Sequence, residues 1–388
     1  MKKLKVIILT EIISPYRIPP FNCLAQDADI ELEVFFLAET ESRRSWQVSK
    51  QEIQFTYRVL WGLQVGKAYQ SAPTFLNPGV IYQLRQQKPD VIICGGWHHY
   101  TYWLALVYAQ LTRTRFLIWS ESTLKDERSD SRYKEALKRW IVSKTDGYIV
   151  PGKAQRDYLQ HLGANKNSIW IAPNAVDHNF FVSETERYRQ NQELLKHKLG
   201  MQGLVILCVS RLIDEKGIPE LLEAFAQLSQ DKPVNLVIAG DGPQAQQYYL
   251  YCQENRLSNV VFTGFQPQST LVQYYAIADI FVFPTRSDTW GLVLNEAMTA
   301  SLPIICSATA GAVEDLVEDQ ANGFIVPVKD AARLSQALQC LIADEALRKK
   351  MGVRSHQIIS NYTPEKMAQG LKQAIQQATS TKKLYLTP

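Results

Sequence analysis

Two acids, Asp288 and Glu296, bracket the segment PTRSDTWGLVLNEAM (284–298), with seven residues between them. The segment reads as the end of an apolar strand (279–283), a short polar loop, a glycine and then a helix. Gly291 lets the backbone approach a ligand closely. The amides after it, from Leu292 and Val293, are donors at a helix N-terminus, which suits a phosphate. An anion cradle beside two carboxylates that can hold sugar hydroxyls is the inventory for binding a nucleotide-sugar.

A second group lies upstream. The run 205–209 reads as a strand, followed by Ser210, Arg211, Lys216 and Gly217 and then by the helical run LLEAFAQL. In an α/β domain the loop at the carboxyl end of a strand faces the ligand crevice, so Arg211 and Lys216 emerge where a ligand lies. Arginine grips a phosphate bidentately and lysine adds a point charge, and two cations match a diphosphate. The bland alternative is a solvated loop with charges at a helix start. Lys216 argues against it, because a cation at a helix N-terminus is disfavoured unless an anion is near. Gly240-Asp241-Gly242-Pro243, after the next strand, is by itself a turn, since the rest of a dinucleotide fingerprint is missing. Phe265 fits beside a base or in the core equally well. TAGAV (309–313) either lets a backbone pass close to a ligand or is only a tight turn.

These loops need strands to hold them. Nearly continuous apolar runs recur at 6–9, 32–37, 91–94, 116–119 and 147–150, and again at 205–209, 236–239, 260–263, 280–283, 303–306 and 323–326, with helical patterns between. Such runs imply parallel sheets covered on both faces, and two series imply two doubly wound α/β domains. A length of 388 residues agrees with two cores. The boundary is expected between Ile171 and Gly203, after a last strand at 169–171, with a helix-compatible stretch over 184–198 and a frayed tail over 379–388. A formal charge of +4 is compatible with an anionic ligand or an anionic membrane surface and far from a nucleic-acid-binding arm. The six cysteines include no C-x-x-C pair, and Cys94, Cys208 and Cys306 in apolar runs read as buried, reduced thiols of a cytosolic protein. The amino-terminal apolar run stops at Thr10 and Glu11, too short for a signal segment. No stretch has the length of a membrane span.

Taken together, VSRLIDEKG (209–217), IAGDGP (238–243), VFTGF (261–265), ADIFVFPTRSDTWGLVLNEAM (278–298) and the linker-like APNAVD (172–177) resemble the retaining glycosyltransferases of family 4, also called group 1. The match covers the whole carboxyl half in order. It implies the GT-B fold: two doubly wound Rossmann-like domains facing across a cleft. The amino-terminal, acceptor-binding domain would span 1–172 and the nucleotide-sugar domain 173–360. The remainder, 361–388, would form a helix packing back on the first domain, plus the tail. The resemblance further implies that Arg211 and Lys216 hold the donor diphosphate and that Glu296 binds the ribose. The amides from Gly291 to Val293 would contact the β-phosphate, and the backbone of Phe265 and Gln266 would read the base. Asp288 would hold the donor sugar where the family usually has Glu, and Thr289 and Trp290 beside it resemble a minority variant. Gly240 joins this donor set.

The amino half departs more from the pattern. Where the family often has a double-glycine loop, this chain has Ser14-Pro15-Tyr16-Arg17, and Arg17 is either a substitute charge, an acceptor contact or a surface arginine. After 116–119 many relatives have a histidine near the reacting carbon, and here Ser120-Glu121-Ser122 stands. A carboxylate ending a buried strand is expensive to leave idle, so Glu121 is an active-site residue or else a cap or ion pair. Trp97 and His98 in GGWHH (95–99), with Tyr16, Arg17 and Asn174, are the expected acceptor contacts. Two adjacent histidines do not share one face, so a metal site there is not expected. Asp27-Ala28-Asp29 formally matches a D-x-D metal motif but reads as a chance loop.

The expected reaction is retaining, metal-independent and cofactor-free. It moves a hexose, with UDP-glucose the best guess, to a growing or lipid-linked polysaccharide in the cytoplasm. The alternatives are a GT-B nucleotide-sugar epimerase and a non-catalytic sugar-nucleotide-binding subunit. The stretch KEALKRWIV (134–142) reads either as an amphipathic helix resting on the inner membrane face, with Trp140 on its apolar side, or as a core-packed helix.

Overall fold

A strand such as VIIC (91–94) or IFVF (280–283) has no polar face to offer water, so it belongs inside a parallel sheet with helices on both sides. The computed structural model describes residues 3–41, 48–65, 74–125, 132–228 and 233–380 and contains two such sheets. Strands β1 (Leu4–Thr10), β2 (Ile30–Phe36) and β3 (Thr56–Val59) precede a separate antiparallel hairpin of β4 (Leu63–Val65) and β5 (Thr74–Leu76). They join β6 (Val91–Cys94), β7 (Arg115–Trp119), β8 (Gly147–Val150) and β9 (Ile169–Ile171) in a parallel sheet of order β3-β2-β1-β6-β7-β8-β9. The second sheet is formed by β10 (Leu204–Val209), β11 (Val234–Ala239), β12 (Val260–Gly264), β13 (Ile280–Phe283), β14 (Ile304–Ser307) and β15 (Gly323–Val326). It is also parallel, in the order β12-β11-β10-β13-β14-β15.

The strand order reverses once in each sheet, between β1 and β6 and between β10 and β13. At such a point the chain leaves neighbouring strands toward opposite faces and opens a crevice at their carboxyl ends. The loops leaving β1, β6, β10 and β13 at these two reversals carry several of the residues grouped below. The chain divides into two compact units. One comprises 1–124, 128–174 and 364–388, and the other 125–127 and 175–363. Each has its own core: Ile7, Phe35, Ile92, Phe116 and Tyr148 in the first, and Ile206, Leu221, Ile238, Val282 and Leu338 in the second. Just after the first unit, Asp177 accepts the Phe180 N–H at 3.0 Å and so caps the helix His178–Arg189.

Some expectations are corrected. The edge strand β3 and the β4–β5 hairpin went unread, because each strand is only three or four residues long and mixes polar with apolar residues rather than forming an apolar run. The 184–198 stretch is broken into two helices at Gln190 and Asn191. Thr379 and Ser380 continue the helix Pro364–Ser380, with the Thr379 hydroxyl bonded to the Ile375 carbonyl at 3.0 Å. The rest of the expected tail lies outside the described residues. The helix Arg132–Ser143 buries Ile141 and Val142 and exposes Tyr133, Leu137 and Trp140. Among the described residues no helix is long and apolar enough to cross a membrane.

Candidate functional site

In the second unit the loops leaving β10 and β13 are packed directly on one another. Gly217 closes the first loop at φ +66°, and a side chain there would collide with the Pro284 carbonyl of the second loop. Arg286 stitches the two together. Its backbone N–H donates to the Glu215 carbonyl at 2.8 Å, and its guanidinium holds Glu220 at 2.6 and 3.0 Å and Asp214 at 3.1 Å. Burial opposes its charge, but Glu220 outweighs burial and raises its pKa. Sequence reasoning passed over Arg286, and the acids flanking Lys216 were the signal that could have found it.

Lys216 is only 8% exposed, and its ammonium donates to the Asp288 carboxylate at 2.7 Å and to the Ser287 carbonyl at 3.0 Å. The cation expected on a diphosphate and the acid expected on a sugar are thus partners. The other oxygen of Asp288 accepts the Trp290 N–H at 3.1 Å. The TAGAV loop docks on the same segment, with Gly311 N–H on the Asp288 carbonyl at 2.9 Å and Ala312 N–H on that of Trp290 at 3.1 Å. Arg211 is exposed at the head of the β10 loop, and Thr289 is half-buried. Gly291, at φ +91°, is the N-cap of the helix Leu292–Thr299. A glycine N-cap has no side chain to offer that first turn, and Leu292 and Val293 are half-buried there, so the helix presents its positive end beside Lys216 and Asp288. At the neighbouring strand ends the Gly240 N–H donates to the Gly264 carbonyl at 2.9 Å, and Phe265 is exposed. The Gln266 amide bonds its own turn through the Thr263 carbonyl at 2.8 Å.

Two residues of the expected donor set are buried. The Trp290 indole is buried, donating to Asn295 at 2.9 Å and lying against Tyr362, so this residue offers a ligand its backbone alone. Glu296 is fully buried, and its carboxylate accepts the Tyr275 hydroxyl at 2.7 Å. This bond ties its helix to the helix Gln268–Ile277.

In the first unit three expected residues meet. Arg17 forms an ion pair with Glu121 and donates to Asn174 at 3.1 Å, and Asn174 donates to Glu121 at 3.1 Å. The guanidinium stacks 4.2 Å from the centre of the Trp119 ring and lies 3.9 Å from the Met367 sulfur. Glu121 thus sits in an ion pair at this point. Tyr16 is half-buried beside Arg17. The Trp97 ring packs on Tyr158 at 6.2 Å, and its carbonyl accepts from the Trp103 indole at 2.6 Å. His98 and His99 do come together, which corrects the geometric objection drawn from their adjacency. His99 precedes the helix Tyr100–Thr112 in extended conformation, and the two rings lie 4.0 Å apart. Asp27 and Asp29 are both engaged by Lys372, at 2.7 and 3.4 Å, on the carboxyl-terminal helix.

Comparison with known proteins agrees with this division. A model for Glycosyltransferase Family 4 matches residues 24–180, and one for Glycosyl transferases group 1 matches residues 190–357. An alpha-monoglucosyldiacylglycerol synthase of Streptococcus pneumoniae is 31% identical over 49% of this chain, but that match spans only 43% of the synthase. A D-inositol 3-phosphate glycosyltransferase of Nocardia farcinica is 24% identical over 88% of this chain and 79% of its own length. In fold, the crystal structure of Anabaena Alr3699/HepE in complex with UDP matches with a TM-score of 0.75 at 18% identity, covering 97% of this chain and all of that one. The same protein with UDP-glucose matches at 0.72 and 19%, covering 97% and 100%. The two-sheet arrangement is thus that of the GT-B glycosyltransferase structures.

Proposed function

Because the chain belongs to the group 1 glycosyltransferases, with an amino half of the family 4 type, we propose that it moves a hexose from a nucleoside diphosphate sugar to an acceptor hydroxyl with retention. The observation that carries this reading is the Lys216–Asp288 pair beside the N-terminus of the helix Leu292–Thr299, which starts from a glycine N-cap. An arriving diphosphate draws Lys216 to itself, with Arg211 as second cation, and releases Asp288 to hold a sugar hydroxyl. As the bond between the anomeric carbon and the phosphate oxygen breaks, the electron pair leaves with the diphosphate. Lys216, Arg211 and the helix end stabilise this charge more as it grows, which lowers the barrier rather than merely tightening binding. The acceptor oxygen bonds the same face of the carbon, and its proton passes to the departing diphosphate.

UDP-glucose is the proposed donor, supported by the fold likeness to a protein crystallised with UDP and with UDP-glucose. The proposed acceptor is a growing or lipid-linked polysaccharide at the inner face of the membrane. Its support is the exposed row Tyr133, Leu137 and Trp140, spaced at one helix face, with Lys134 and Arg139 exposed on the same helix. No metal is assigned a role, since Asp27 and Asp29 already hold Lys372. The test is release of UDP from UDP-glucose in the presence of lipid-linked oligosaccharides, with the product anomer read by NMR. An α-linked product is expected. A β-linked product would refute retention, and an epimerised nucleotide-sugar formed without acceptor would replace transfer with epimerisation.

A further inference from the structure

Lys216 stands among acids in the chain: Asp214 and Glu215 precede it, and Glu220 follows in the first turn of the helix Ile218–Ala226. In so acidic a loop the cation has partners close at hand. Among the described residues, however, its ammonium is paired with Asp288, from the other loop. Two features of the segment 285–287 account for this.

The first is a knot around the Glu215 carbonyl. It accepts the N–H of Arg286 at 2.8 Å and that of Ser287 at 3.4 Å. The Thr285 hydroxyl lies 3.1 Å from the same carbonyl and 2.9 Å from that of Ser287. Glu215 and Ser287 immediately precede Lys216 and Asp288, so the knot sets the register of the pair. The bonds from Arg286 and Ser287 are made by the backbone and survive a change of side chain at position 286.

The second is the Arg286 guanidinium, which takes up acids on both sides of Lys216. It reaches Asp214 at 3.1 Å and one oxygen of Glu220 at 2.6 and 3.0 Å. The two acids differ, since the Asp214 side chain is 70% exposed and that of Glu220 only 11%. A solvated carboxylate gains little from a partner, whereas a buried one is costly to leave unpaired. The second oxygen of Glu220 is buried and has no hydrogen-bond partner among the described residues, so Glu220 depends on Arg286. Without that guanidinium, the basic residue nearest to Glu220 in the chain is Lys216.

We propose that Arg286 is a positioning residue of this site: by taking up Glu220 and Asp214 it keeps Lys216 off its acidic chain neighbours and turned to Asp288, where an anion can draw on it. That the anion is a diphosphate rests on the transferase reading, but the pairing does not. Arg286 acts through Lys216 and is assigned no contact with the donor.

The test uses the full-length protein and has a ligand-free arm. Denaturation gives the coupling between Lys216→Met and Asp288→Asn as a double-mutant cycle. With Arg286 in place it should be roughly tenfold or more in the unfolding equilibrium constant, the scale of a charge-assisted bond. Arg286→Gln should cut it to about threefold or less, and adding Glu220→Gln should restore it, because no stranded acid then competes for Lys216. Arg286→Lys keeps one charge but not the fork that serves two acids. It should lose part of the coupling, and it carries the test where Arg286→Gln is too unstable to measure. Coupling unchanged in the variant measured would overturn the proposal. So would coupling that stays lost in Arg286→Gln with Glu220→Gln, which would make Arg286 a structural brace. In a second arm, UDP affinity should fall about tenfold in Arg286→Gln and recover with Glu220→Gln. No UDP binding by the native protein would count against the transferase reading and leave the first arm to decide the role of Arg286.

Discussion

Replacing Lys216 with Met separates the structural and the functional sides of the Lys216–Asp288 pair. In the native protein the ammonium is nearly buried and 2.7 Å from the carboxylate. Removing it strands the negative charge of Asp288 against the Ser287 carbonyl that Lys216 had also bonded. Breaking a fully buried pair in this way costs about 3–5 kcal/mol. Asp288 is 23% exposed and keeps the Trp290 N–H, which reduces the cost to about 2 kcal/mol, between the buried-pair and single charged-bond values. At roughly 2–4 °C per kcal/mol for a unit of this size, the unfolding midpoint of the second unit should fall by about 4–8 °C. Adding Asp288→Asn removes the stranded charge and should restore at least about half of the loss. Nucleotide binding should not return with it. Calorimetry for stability and titration with UDP for binding read the two effects independently. A double variant that regains stability and also binds UDP like the native protein would refute the assignment of Lys216 to the diphosphate.

Further outcomes follow from other parts of the molecule. His99 has a lowered pKa in the folded state, so the unfolded chain binds more protons as pH drops through about 6.5, and stability falls there by up to about 1.4 kcal/mol per unit. His99→Gln should flatten the pH dependence of the melting temperature between pH 7 and 5.5, and an unchanged slope would show that His99 is not buried neutral. Glu11, with its pKa held low, contributes stability that is lost only below about pH 4, outside that window. Tyr133→Ser combined with Trp140→Ser should weaken sedimentation with phosphatidylglycerol vesicles at least about tenfold while leaving UDP binding intact, and equal sedimentation would remove the helix Arg132–Ser143 from the membrane contact. Turnover should survive excess chelator if, as proposed, Lys216 and Arg211 stabilise the departing diphosphate in place of a metal. Loss of activity, restored by magnesium or manganese, would overturn that assignment.

Much of this was legible because the informative residues sit next to unambiguous strands. VILCV and IFVF are apolar on both faces, so they fix β10 and β13, and the loops after them must be where Arg211, Lys216 and Asp288 emerge. The sequence could not reveal that Lys216 and Asp288, far apart in the chain, answer each other's charge. That depends on Gly217 fitting against Pro284, a contact invisible to spacing rules. The inward contacts of Glu296 and Trp290 were not legible, because neither a helix position nor a loop position declares which neighbour its side chain meets, here Tyr275 and Asn295. In the amino half, Arg17, Glu121 and Asn174 were each singled out, but their convergence needed the fold. The short edge strand β3, TYRV, offered too few apolar residues to register at all.

The most direct measurement is a thermal-shift panel of nucleotide-sugars on the native protein and on Arg211→Ala and Lys216→Met. A ligand that binds only the folded state raises its apparent stability, by about 2.7 kcal/mol at a hundredfold excess over its dissociation constant. UDP-glucose is expected to stabilise the native protein and to do so at least about tenfold more weakly in either variant, the scale of one charge-assisted contact. Stabilisation by a GDP- or ADP-sugar instead would change the donor and leave the reaction standing. No response to any nucleotide-sugar, or an undiminished response in both variants, would contradict the claim that these residues form the donor site of a glycosyltransferase.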